Sequence, residues 1–91
     1  MTILDKRWID ENGIILIRFK KPDGGWHRTS IEPGIDAAAQ MAAVNAHLES
    51  MGHEKVSNDD VQVIKDAVEI EHKPEVVTAY RARIAAQREQ R

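Results

Sequence analysis

The chain has no cysteine. That absence removes disulfides, thiol catalysis and every thiolate metal site. No apolar run approaches the ~20 residues that a membrane-spanning helix needs. The opening Met1-Thr2-Ile3-Leu4-Asp5-Lys6-Arg7 lacks the apolar segment of a secretory signal peptide. These absences predict a protein kept in the cytoplasm, without a membrane partner. Internal repeats and low-complexity linkers are missing too. There is no Gly-x-Ser-x-Gly and no zincin motif, and the Lys-Ser/Thr continuation of a P-loop does not follow Gly24-Gly25.

What is present suits one small folded domain, 1–91. At 91 residues the chain buries only about 60–65% of its unfolded surface, so its core is thin. A homodimer is a natural way to hide leftover apolar area. Apolar residues make up 42% and charged residues 31%, as in ordinary globular proteins. The net charge is −2 but uneven: +1 over residues 1–34, −6 over 35–80 and +3 over 81–91. The acidic middle argues against wholesale wrapping of nucleic acid.

The first third, about 3–31, reads as a three-stranded antiparallel β-meander. Asn12-Gly13 is the strongest short signal for a two-residue hairpin turn, in which both central residues take positive φ. That turn sets Trp8 opposite Ile17, Lys6 opposite Phe19 and Ile9 opposite Leu16. Pro22-Asp23-Gly24-Gly25 marks the second turn, with proline at the first corner and glycine in the left-handed position. The third strand runs from Trp26 to Ile31, and Pro33-Gly34 ends the sheet.

Helices are predicted near 36–51, 58–71 and 74–88. In the first, Met41, Val44, Leu48 and Met51 recur at helical spacing behind Asp36, and Gly52 suits the C′ position. Ser57-Asn58-Asp59-Asp60 is a capping-box variant, with Val56 and Val61 placed as a hydrophobic staple. The second helix has two apolar stripes, Val61-Ile64-Val68 and Val63-Ala67-Ile70. An arc that wide should be packed on two sides. Pro74 breaks the chain or opens the third helix, whose stripe is Val77, Tyr80 and Ile84. The tail, 87–91, has no apolar anchor and is expected to fray. The fold class is therefore α+β, βββααα, with two or three helices on one face of the sheet.

Chemistry is hard to place. His27, His47, His53 and His72 lie on different elements, and none has metal-pair spacing. Asp59-Asp60 suits the positive end of a helix dipole. Glu69 and Glu71 suit a solvated helix face, and Ser30, Ser50 and Ser57 have no neighbouring base. No catalytic, cofactor or metal residues are expected.

The sheet offers more. In this register one face carries Trp8, Ile15, Ile17 and Phe19 and should meet the helices. The other carries Arg7, Ile9, Leu16, Arg18 and Lys20. If Phe19 pairs with His27, then Trp26 and Arg28 join that outer face; a one-residue slip sends Trp26 into the core instead. The candidate interaction surface is Arg7, Arg18, Lys20, Trp26 and Arg28. Such a face suits an acidic protein surface or, alternatively, single-stranded nucleic acid. A solvated sheet face covered by long basic side chains is the simpler reading. Arg81, Arg83, Arg88 and Arg91 complement a helix C-terminus or form a basic docking tail.

Val44-Asn45-Ala46-His47-Leu48, Met51-Gly52-His53 and His72-Lys73-Pro74-Glu75-Val76-Val77, with Arg7 to Gly13 and Gly24-Gly25-Trp26-His27, resemble small uncharacterised proteins of tailed bacteriophages and prophages. The resemblance implies a virion-associated, assembly or host-modulating protein in the host cytoplasm or virion, with a protein partner or a second copy of itself. It assigns no site residues. The expected function is a non-enzymatic interaction or structural protein; an enzyme with a site assembled from scattered residues is the remaining alternative.

Overall fold

Two turns of the same design build the sheet. In the computed structural model of the protein, which describes residues 1–89, strands β1 (Ile3–Ile9), β2 (Ile15–Lys20) and β3 (Trp26–Ile31) form an antiparallel sheet in the order β1-β2-β3. At the first turn the Gly13 N–H donates to the Asp10 carbonyl, and the Asp10 N–H donates to the Ile14 carbonyl. At the second, Gly24 N–H donates to Lys21 and Lys21 N–H to Gly25. Gly13 and Gly24 each take positive φ, 82° and 87°, the left-handed position that favours glycine.

The first turn corrects the expected register. Asn12 does not take positive φ, so Glu11, Asn12 and Gly13 form a three-residue loop in place of a two-residue one. Asp10 fixes it, because its carboxylate accepts the N–H groups of Asn12 at 2.8 Å and Ile14 at 3.0 Å. The pairs become Ile9 with Ile15, Arg7 with Ile17 and Trp8 with Leu16. Every β1 side chain near the turn changes face relative to the expectation. Trp8 moves to the open face, and Arg7 and Ile9 move to the helix side. A bulge between Leu4 and Lys6 then inserts Asp5 and pairs Leu4 with Phe19. Without it Leu4 would point away from the core. The β2–β3 pairing, with Phe19 opposite His27 and Lys20 opposite Trp26, is the register that puts Trp26 outside.

Three helices follow: α1 (Ala37–Ser50), α2 (Asn58–Glu71) and α3 (Pro74–Glu89). Each of the first two is capped by its own sequence. The Asp36 carboxylate accepts the Ala38 N–H, and the Ser57 hydroxyl accepts the Asp60 N–H. At the far end of α1, Gly52 N–H donates to Glu49 and His53 N–H to Leu48, the paired closure that a left-handed C′ residue allows. The Asp60 carboxylate does not return to Ser57. It accepts the Leu4 N–H at 3.0 Å. Pro74 separates α2 from α3, with His72 and Lys73 between them.

The core lies between sheet and helices. Ile15, Ile17 and Phe19 of the central strand and Ile31 of β3 meet Met41, Val44 and Leu48 of α1 and Ile64 of α2. Thr2, the one buried polar residue among those described, donates its hydroxyl to the Glu54 carbonyl at 2.7 Å. Its backbone bridges to Val56, which ties the start of β1 to the loop before α2.

Only α1 and α2 cover the sheet. α3 buries none of its residues and crosses the end of the sheet where the Asp10–Gly13 and Glu32–Ile35 turns lie. There Arg83 hydrogen-bonds Asn12, and Val76 and Val77 abut Gly13 and Gly34. The Tyr80 hydroxyl is pushed above its usual pKa, chiefly by desolvation and then by the charge of Glu32. The molecule is elongated, 43 × 29 × 20 Å, with a radius of gyration of 14.4 Å. A compact domain of this length would have about 12 Å. The tail expected to fray, 87–91, is helical through Glu89; residues 90 and 91 lie outside the described residues.

Candidate functional site

The open face of the sheet is uncovered by any helix. Strand alternation and the two registers place Ile3, Lys6 and Trp8 of β1, Leu16, Arg18 and Lys20 of β2, and Trp26, Arg28 and Ser30 of β3 on it. The bulge adds Asp5, because the inserted residue lets Asp5 and Lys6 share one face. Of the five sequence candidates, Arg18, Lys20, Trp26 and Arg28 are brought together here. Arg7 is not. It pairs with the buried Ile17 and so lies on the helix side, in the groove between β1 and α2. Trp8 takes its place, a residue that the assumed two-residue turn had sent into the core.

Both tryptophans are exposed, Trp8 by 39% and Trp26 by 48%, and each lies beneath a cation of the same face. The Arg18 guanidinium is 4.6 Å from the Trp26 ring centre, and the Lys20 amino group is 5.7 Å away. The Lys6 amino group lies 5.2 Å from the Trp8 ring. Such contacts contribute about 0.5–1 kcal/mol each at exposed positions. They order the long side chains and hold positive charge close to the indoles.

Asp5 sets the electrostatics at the centre. Its carboxylate takes both the Nε and a terminal nitrogen of Arg18, at 2.8 and 2.7 Å. The pair fixes the guanidinium plane over Trp26. It also relieves the repulsion that Arg18 and Arg28, directly opposed across the ladder, impose on each other. Lys6, Lys20 and Arg28 form no ion pair among the described residues. In a chain of net charge −2 this face therefore carries Lys6, Arg18, Lys20 and Arg28 against the single acid Asp5, while Asp59, Asp60, Asp66, Glu69 and Glu71 lie on α2.

The histidines gather elsewhere. The His27 and His47 rings are 5.5 Å apart, and His27 also stacks on Phe19 at 6.4 Å. Burial, with His47 and Lys21 adding like charge, lowers the His27 pKa below 6.5. His53 Nε2 lies 3.9 Å from Asp23, whose carboxyl is held below its usual range by the Gly25 N–H. His72 bonds the Gly13 carbonyl through Nε2 at 2.7 Å and leaves a buried Nδ1 unpartnered. That contact locks the α2–α3 link onto the first turn. Among the described residues no group of three or more His, Asp or Glu side chains is arranged to hold a metal ion, and no helix is long and apolar enough to cross a membrane.

No protein family, curated protein or solved structure matches the chain. The functional reading therefore rests on the surface itself.

Proposed function

We propose that the protein is a small non-enzymatic interaction protein that docks an acidic protein surface on the open face of its sheet. One observation carries this reading: Trp8 and Trp26 are both exposed on that face, each beneath cations, and its single acid, Asp5, is engaged by Arg18. Trp and Arg are among the residues most enriched at the energetic centres of protein interfaces. Lys6, Lys20 and Arg28 around them steer an anionic partner into place and penalise a basic one. The resemblance to small phage-encoded proteins fits an assembly or host-modulating role performed by binding.

Single-stranded nucleic acid is the competing occupant. Base stacking needs a free indole face, and here Arg18 and Lys20 already approach the Trp26 ring. That favours carboxylates, which can bind the cations without displacing them from the rings.

The experiment is partner capture with the wild-type chain and with Trp26→Ala/Arg18→Ala, followed by identification of what is bound. The two tryptophans are the only ones in the chain; Trp8 also lines the groove beside α2, so the fluorescence of Trp26 in a Trp8→Phe variant reports the occupancy of this face. The expected result is an acidic protein, released by salt, whose affinity falls about 30-fold or more in the variant. A partner held equally well by the variant, or retention of a single-stranded oligonucleotide in place of a protein, overturns the proposal.

A further inference from the structure

A second surface lies on the opposite side of β1. The two apolar stripes of α2 call for packing on two sides, yet within the protomer only one is covered. Ile64 is fully buried and Val61 and Val68 are packed against the core. Val63 is 42% exposed and Ile70 is 64% exposed. They form one bank of a groove of about 370 Å³ whose other bank is Arg7, Trp8 and Ile9 of β1 and whose floor is Ile15 and Ala67. Ile9 is itself 45% exposed. The slip in register created this groove by turning Arg7 and Ile9 toward the helix side.

The banks carry opposite charge. Arg7 stands on the strand, and Asp66 and Glu71 stand on the helix. None of the three forms an ion pair among the described residues. The strand and helix run in the same direction, tied at one end by the Leu4–Asp60 hydrogen bond and at the other by the His72–Gly13 bond. From Leu4 to Arg7 the strand crosses the bulge and spans two residues of β2, Phe19 to Ile17, an advance of about 7 Å; from Asp60 to Asp66 a helix advances about 9 Å. Arg7 and Asp66 are therefore level across the groove to within about 2 Å. By the same measure Ile9, about 13 Å along, is level to within about 2 Å with Ile70, about 15 Å along.

We infer that the occupant of this groove is a second copy of the chain, related by a two-fold axis running along the groove. Such an axis exchanges the banks while preserving level. Arg7 of one copy then faces Asp66 of the other, and Ile70 of one copy meets Ile9 of the other. Both matches occur twice, as a self-complementary interface requires. An axis across the groove would oppose strand bank to strand bank and helix bank to helix bank, setting like charges together. The dimer leaves Arg18, Lys20, Trp26 and Arg28 uncovered but brings the second copy beside Trp8, which also lines the groove; it does not rest on the partner-binding reading above.

Sedimentation equilibrium of the full chain over a wide concentration range tests this. The expected result is a reversible monomer–dimer equilibrium. Ile70→Lys weakens it at least tenfold while leaving the far-ultraviolet circular dichroism of the protomer unchanged, since Ile70 supports nothing within it. Arg7→Asp and Asp66→Arg each weaken self-association, because each sets like charges against one another across the interface. Mixing the two variants restores a one-to-one pair, because both contacts between positions 7 and 66 then join an acid to a base. A single-chain mass at every concentration overturns the inference. So does a dimer indifferent to Ile70→Lys, or a mixture of charge variants that fails to pair.

Discussion

The Asp60 carboxylate accepts the backbone N–H of Leu4 at 3.0 Å, joining residues 56 positions apart. One side chain thereby occupies part of the outer edge of β1 and also places negative charge in the first turn of α2, where the helix dipole favours it. Asp60→Ala leaves that N–H without its acceptor and should cost about 1–3 kcal/mol. Asp60→Asn keeps an acceptor and should cost less. Urea denaturation of both variants gives the comparison.

Trp8 and Phe19 should separate sharply on truncation. Phe19 is fully buried in the core and Trp8 lies on the open face. Phe19→Ala should cost about 3–5 kcal/mol. Trp8→Ala should cost less than that, since Trp8 keeps 39% of its surface in water whereas Phe19 keeps none, and it loses one exposed cation contact. Equal losses in chemical denaturation would place Trp8 in the core and restore the two-residue turn.

Gly13→Ala and Gly24→Ala probe turns of the same design in different surroundings. Both alanines meet a positive φ and should lose about 1–2 kcal/mol for that reason. At Gly13 the added carbon also comes within 3.2 Å of a Val76 methyl, whereas at Gly24 nothing lies within 4 Å. Gly13→Ala should therefore show the larger drop in thermal midpoint, and a compensating Val76→Ala should recover part of it.

Acidification should weaken the fold through His27. Its folded-state pKa lies below 6.5 because burial and the neighbouring His47 and Lys21 disfavour the imidazolium. The unfolded chain then binds the proton more readily. Stability from this group is present in full above 6.5 and is lost as pH falls through the folded-state value. His27→Gln should flatten that part of a plot of thermal midpoint against pH.

The contrast between the two hairpins explains what was readable in advance. Pro22 marks the first corner of the second turn and Gly24 its left-handed residue, so the turn itself followed from local chemistry, while the sequence left two β2–β3 registers open and the pairing of Phe19 with His27 chooses the one that puts Trp26 outside. At the first turn Asn12-Gly13 favoured a two-residue loop. Asp10 decides otherwise by gathering the N–H groups of Asn12 and Ile14, and Asp occurs too often before turns to announce that role. Helix boundaries were legible within about a residue, because Asp36, Ser57, Gly52 and Pro74 act on their own neighbours. The bulge at Asp5, the Asp60–Leu4 bond and the docking of α3 across the sheet end depend on residues far apart in the chain. So the open face was legible as basic, with Trp26 on it in one of the two open registers, while the exchange of Arg7 for Trp8 was not.

The docking of α3 has a consequence for how the molecule comes apart. A helix with no buried residue contributes little to the cooperative unit, and its detachment need not disturb Ile15, Ile17 or Phe19. Its amides should exchange with deuterium through brief local openings, while those of β2 should wait for global unfolding. Limited proteolysis near Lys73 should release the last helix and leave a shorter, still cooperative body.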